Sequence, residues 1–289
     1  MALRHSAFYT PYLMTMAGGF LKQMGMQFSY RVESPGDSVA ENISRGSCDV
    51  AQSAVAASFR YLQQQQKAPF MHFAQINARD GFFLAARTPL ANFSWDMLKK
   101  QTVIVDHFFQ PHAMLTYALH LKGLDFNDFT AIDAGDVSAM QQAFLNGEGN
   151  FIHLQGPAPQ QMEAHQQAYV VASVGEIIGD VAFSSLCASP RWLETAMASD
   201  FKLAYTQAMQ HTLQTPAENL SEELKTAGFF TEIDSPVLTD TISVYQQSGC
   251  WQTDTNISID AFNTLLKVFM HAGLLIQPLD ASSCITQIK

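Results

Sequence analysis

The side chains with the widest chemical reach in this sequence are nine histidines and four cysteines. A zinc hydrolase of the H-E-x-x-H type needs two histidines one helical turn apart, and no histidine pair here has that spacing. His107 and His112 flank one loop and could converge, but no cluster of carboxylates or cysteines stands beside them. Cys48, Cys187, Cys250 and Cys284 are scattered, without a C-x-x-C. They read as buried or half-buried thiols, with disulfides in an exported form as the other reading. The G-x-S-x-G, P-loop and G-x-G-x-x-G patterns are all absent. Neither a metal nor a cofactor is expected.

Recognition chemistry is better represented. Arg79 follows a strand-like run, and a planar guanidinium is the usual partner of a carboxylate or sulfonate in a closed cleft. The plainer alternative is that Arg79 pairs with Asp80 or a surface carboxylate. Ser53 stands where a strand turns into a helix, so its hydroxyl and the free N–H groups of the helix end suit a polar head group. Tyr9, Tyr12, Phe108 and Phe109 could form a stacking box for a flat ring, although aromatic stripes more often serve a core.

The stretch from Gly25 to Ser58 must position this chemistry. Met26–Val32 is a β-branched and aromatic run bounded by Gly25 and Pro35-Gly36, which predicts a strand. Asp37 or Ser38 can cap the next helix, which Gly46 ends. Asp49-Val50-Ala51 is then a short buried strand, and Gln52-Ser53-Ala54 opens onto a helix running to Gln66. Strand ends feeding helix N-termini are how open α/β sheets make a ligand crevice. Upstream, Leu3–Phe8 predicts a first strand and Pro11–Met24 a helix with proline well placed in its first turn.

Composition sets the outer limits. The chain has 289 residues, 47% hydrophobic and 15% charged, enough for one large or two medium domains. A net charge of −10 argues against a nucleic-acid partner but leaves room for a locally positive site. No apolar run approaches the roughly 20 residues that a bilayer requires. No signal peptide is evident, which predicts a trimmed periplasmic chain or, failing that, a cytoplasmic one.

Gly46, Asp49, Val50 and Ala51 fit a G-x-x-D-hydrophobic-A pattern, and Phe93–Lys100 is close to S-x-x-D-L-K-G-K, with Gln101 in the place of its glycine. The tail runs Y-x-x-x-G-x-W, then I-x-x-x-A-F-x-x-L-x-x-V-x-x-x-A-G-L, from Tyr245 to Leu274. In these passages the chain resembles the type 2 periplasmic binding proteins of the sulfonate, taurine, nitrate and thiamine-precursor uptake group. The resemblance is strongest at residues 25–58, 93–123 and 233–278. It implies that the turn at Tyr9, Thr10 and Tyr12 lines the ligand site; Asn77 and Arg79, after the fourth strand and close to the hinge, are candidates on their own chemistry. It also implies that Gln155 and Gly156, in a loop ahead of Pro157, face the crevice. The loop His107-Phe108-Phe109-Gln110-Pro111-His112 departs from the family's hydroxyl-rich version. His112 alone keeps a matching position; the serines that would hold a sulfonate or nitrate are gone, and Phe108 and Phe109 stand nearby, with Gln110 a further candidate contact.

The expected fold is therefore α/β, with two lobes of the periplasmic-binding-protein-like II type, each a mixed sheet flanked by helices. Lobe one would comprise residues 1–84 and 183–289, lobe two residues 85–182, with Phe82–Ala86 and Gly179–Phe183 as the crossing strands. The resemblance implies a monomeric receptor that passes a small heterocyclic or anionic molecule to an ABC permease, with no nucleic-acid partner. Loss of the serines favours a larger, partly aromatic ligand such as a pyrimidine-like thiamine precursor. Enzymes on the same fold, of the thiamine-pyrimidine synthase or menaquinone-route kind, are the alternative.

Overall fold

The structure is a computed structural model that describes residues 1, 5–33 and 38–288. Ser6 begins the first element: its hydroxyl accepts from the Phe8 N–H at 3.2 Å and winds Ala7–Tyr9 into one 3-10 turn. The strand expected over residues 3–8 is therefore corrected, and Leu3 and Arg4 lie outside the described residues. Helix α1 (Thr10–Ala17) carries Pro11 in its first turn, and α2 (Phe20–Gln23) follows. The single helix expected there is broken at Gly18-Gly19, where Gly19 takes φ +75°.

Among the described residues Met26–Val32 forms no strand, although Val32 takes part in an isolated bridge. Met26 and Tyr30 pack on the core while Phe28 and Val32 stay exposed, so positions that a strand would put on one face are split between core and solvent. A β-prone run becomes a strand only where a neighbouring edge pairs along it. Pro35, Gly36 and Asp37 lie outside the described residues. Helix α3 (Val39–Ser44) follows, its Val39 N–H held by Glu33 at 2.9 Å. Strand β1 (Val50–Ser53) leads through a 3-10 turn to α4 (Phe59–Gln63), and β2 (Met71–Asn77) ends the first pass through this half of the molecule.

The chain then builds a second sheet: β3 (Phe82–Ala86), β4 (Thr102–Ile104), α5 (Phe109–Leu121), β5 (Thr130–Ile132), α6 (Val137–Leu145), β6 (Phe151–Gln155), α7 (Ala158–Ala164), β7 (Tyr169–Ser173) and α8 (Val174–Ile178). It returns as β8 (Ser184–Ala188) and finishes in helices α9 (Pro190–Leu193), α10 (Ala196–Gln214), α11 (Ala217–Thr226), α12 (Ser235–Gln247) and α13 (Ile259–His271).

The strand orders are β1-β8-β2 and β5-β4-β6-β3-β7. In the first sheet β8 lies antiparallel between β1 and β2. In the second, β4 runs parallel to β5 and β6, whereas β3 is antiparallel to β6 and β7. Phe82–Ala86, expected as a crossing strand, is instead an interior strand of the second sheet. Residues 179–183 form no strand. The chain crosses between sheets at 78–81 and 179–183, and these segments bond to each other through Val181 N–H to Ala78 O at 2.8 Å.

One large apolar cluster joins both sheets with α1, α5 and α10 to α13, while a smaller one under α6 serves the second sheet. Two buried tyrosines fasten strands to helices. Tyr205 of α10 donates to Gln75 O at 2.6 Å, and Tyr245 of α12 donates to Gly81 O at 2.9 Å. The four cysteines are free thiols, three of them buried.

Candidate functional site

A cleft of about 850 Å³ lies between the N-terminal turn and the strand ends of the second sheet. One wall brings His5, Ser6, Val32 and Ile233; the other brings the ends of β4, β5 and β6 and the turns after them. Strand ends leading into helices thus shape the second wall, as the crevice rule for open α/β sheets requires. Asp106, after β4, accepts from the Phe108 N–H at 2.8 Å, which sets the start of α5. His107 donates from Nδ1 to Val105 O at 2.8 Å, because a carbonyl can only accept. Asp136 caps α6 by accepting from the Ala139 N–H at 2.9 Å.

The loop after β6 is held from two sides. Gly156 N–H donates to Tyr245 Oη at 2.9 Å, while Gly156 O accepts from Ser6 Oγ at 2.6 Å. A Cβ at Gly156 would come within 2.6 Å of Tyr245 Oη, so the close approach requires glycine. The cleft edge at Gln155–Ala158 is therefore tied to α12 and to the N-terminal turn. The described lining residues include the carboxylates Asp106, Asp133 and Asp136 and no lysine or arginine. His5 stacks on Phe230 at 4.3 Å, and burial lowers its pKa.

Behind the cleft is a recess of about 30 Å³, lined mainly by Tyr9, Phe82, Phe183, Gln52, Ala54 and Gln110. Phe108 and Gln155 line both spaces, and the Phe108 ring is half-exposed. Gln110 is 3% exposed and donates from Nε2 to Phe183 O at 2.7 Å. Its Oε1 has no hydrogen-bond partner among the described residues.

Of the residues expected at the site, Tyr9, Phe108, Gln110, Gln155 and Gly156 are brought together around these two spaces. The others are placed elsewhere. Thr10 is buried and closes the 3-10 turn by donating to Ala7 O at 2.7 Å. Tyr12 receives a hydrogen bond from the Met1 amine at 3.1 Å, deep in the first sheet's surroundings. Ser53 points away because strand side chains alternate, and its neighbours Gln52 and Ala54 are the ones that line the recess. Asn77 uses its amide structurally, donating to Phe8 O at 2.7 Å and accepting from Ser184 Oγ. Arg79 pairs with Asp180 at 2.9 Å and donates to Ser248 O at 2.8 Å, so a surface carboxylate is its partner. His112 lies flat on Phe126 and beside His107, with ring centroids 4.9 and 5.0 Å apart respectively. Phe109 packs against Phe269 instead of joining a stacking box.

Sequence reading missed Asp106, Asp133 and Asp136, although each follows a strand and precedes a helix, the signal that singled out Ser53. It could not find His5, Ser6 or Ile233, which only the tertiary fold brings to the cleft. Among the described residues no group of three or more His, Cys, Asp or Glu could hold a metal ion, and no helix is long and apolar enough to cross a membrane.

Residues 7–219 match the family described as NMT1/THI5 like. This chain belongs to the NMT1/THI5-like family. Over 275 residues it is 26% identical to YtlA of Bacillus subtilis (strain 168), named provisionally as a binding protein, covering 94% of this chain and 82% of YtlA. Its fold is similar to that of the periplasmic aliphatic sulphonate binding protein SsuA from Escherichia coli, with a TM-score of 0.76 at 16% identity over 100% of this chain and 92% of that one. It is also similar to the periplasmic nitrate-binding protein NrtA from Synechocystis PCC 6803, with a TM-score of 0.67 at 15% identity over 96% of this chain and 82% of that one. The fold of this NMT1/THI5-like chain is thus that of the type II periplasmic binding proteins, as the sequence resemblance implied.

Proposed function

We propose that this protein is the receptor of an ABC importer, capturing a small molecule in the cleft and delivering it to a permease. The observation that carries the reading is the cleft itself: its walls come from the two sides of the paired crossings. Residues 1–84 with 183–289 form one lobe in this reading, residues 85–182 the other, and bending at 78–81 and 179–183 closes them on the ligand. The names of YtlA, SsuA and NrtA support the role, and SsuA and NrtA support a location outside the cytoplasm. The receptor acts as a monomer.

The ligand is a flat, partly heterocyclic molecule of the pyrimidine-like kind rather than nitrate or a simple alkanesulfonate. The half-exposed Phe108 ring in the cleft lining and the acidic described lining support that class, since carboxylates repel an anion. The test is native mass spectrometry of gently purified protein, then a thermal-shift screen with pyrimidines, amines, carboxylates and sulfonates. A molecule that raises Tm with concentration and is returned unchanged supports the receptor. A stabilising molecule that is consumed makes the protein an enzyme and ends the transport reading.

A further inference from the structure

We propose that His120 and His271 form a binding site for a divalent transition-metal ion of the copper, nickel or zinc kind, held between α5 and α13. Neither histidine lines the cleft or the recess, so the site stands whatever the cleft binds. The two rings stack with centroids 4.1 Å apart and planes 29° from parallel. Both are exposed, and among the described residues no hydrogen bond or ion pair occupies a nitrogen of either ring. Tyr117, one turn before His120, backs the pair with ring centroids 6.2 Å from His120 and 5.7 Å from His271.

Each histidine stands in the last turn of its helix, where the backbone dipoles leave partial negative charge and favour a cation. Two stacked imidazolium rings would repel each other, whereas one shared dication satisfies both helix ends. Donor type then selects the ion. A neutral imidazole offers one lone-pair nitrogen, which suits copper, nickel and zinc, while calcium and magnesium take oxygen. Metal–nitrogen bonds of about 2.1 Å put two donors within about 4 Å of each other. Rings stacked at 4.1 Å reach that spacing by turning about side-chain bonds that no hydrogen bond restrains. Among the described residues no group of three His, Cys, Asp or Glu is available, so water fills the remaining positions and the site is open, unlike a closed structural zinc. His107 and His112 are the weaker pair: their centroids are 5.0 Å apart, and His107 already commits Nδ1 to Val105 O. Because α5 follows β4 of the second sheet and α13 follows β8, an ion shared by the two rings staples the second-sheet half to the closing helices.

The experiment titrates tag-free, full-length protein by calorimetry at about pH 7.5, above the ordinary histidine pKa, with Cu²⁺, Ni²⁺, Zn²⁺ and Mg²⁺. One ion per chain should bind, Cu²⁺ most tightly, with Mg²⁺ silent. His120→Ala and His271→Ala should each weaken Ni²⁺ binding roughly 10- to 100-fold, because the second imidazole joins intramolecularly. His165→Ala, at another exposed histidine, should change nothing. Protection from diethyl pyrocarbonate, read by mass spectrometry, needs no variant: Zn²⁺ should shield His120 and His271 together and leave His165 reactive. Single variants that bind as the wild type does overturn the site. So do two equal weak sites of which one survives in each variant, since that is the behaviour of independent histidines. Protection of His107 and His112 instead, or of all exposed histidines alike, would mean an adventitious ion only and would also overturn it.

Discussion

Tyr245 serves two backbone groups with one hydroxyl, donating to Gly81 O beside the first crossing and accepting from the Gly156 N–H at the cleft edge, both at 2.9 Å. Tyr245→Phe leaves both groups buried without their partner. It should lower stability by about 1–3 kcal/mol in urea titration, with ligand binding weakened because Gly156 is released. Asp80, in the same crossing, accepts from the Phe82 N–H, and burial with Asp106 nearby pushes its carboxyl up to about 8 from an ordinary 3.8. The folded chain therefore keeps a proton that the unfolded chain releases across that interval. Stability from this group is complete at low pH and is lost as pH rises towards 8. Asp80→Asn mimics the protonated acid and keeps the acceptor, so its Tm should gain on that of the wild type as pH rises through the interval. A constant Tm difference would show that Asp80 does not hold the proton. Arg79 teaches the complementary lesson: its residue type was legible as an anion partner, but which anion it meets was decided by Asp180, 101 residues away.

Elements bounded by strong punctuation were readable at the sequence level. Val137–Leu145 and Tyr169–Ser173 appear with the limits expected, the first because Asp136 caps it and Asn146-Gly147 ends it. Pro216 and Gly228 likewise bracket α11. Elements that depend on a partner were not readable: Met26–Val32 has a strand's composition, yet among the described residues it joins neither named sheet. The same division runs through the site. The turn at 155–157 was visible after its strand, whereas the loop expected at 107–112 is a loop only to Phe108, because α5 begins at Phe109, and only the tertiary fold brings Gln110 to Phe183. A prediction at this scale concerns α8, which packs on the crossing at Gly175. A Cβ there would overlap the Asp80 carbonyl oxygen. Gly175→Ala should force α8 away from the crossing and lower Tm by several degrees in a thermal melt, since backbone cannot yield as a flexible side chain does.

For the whole molecule, a two-lobed receptor predicts a change of shape. Saturating ligand should reduce the radius of gyration in small-angle scattering, as closure about the crossings draws the lobes together. An unchanged radius with bound ligand would mean that the cleft is a rigid pocket. The strand order carries a different consequence. β8 lies between β1 and β2, yet it follows the whole of the second sheet in the chain. On the ribosome, then, the strands that emerge first wait longest: β1 and β2 stand with open edges until residues 184–188 arrive. The stretch from β3 to β7 has its ladder partners within itself and can fold while the first sheet is still incomplete. The birth order of the molecule is thus inside out, and its opening segments are the ones most in need of a chaperone's protection.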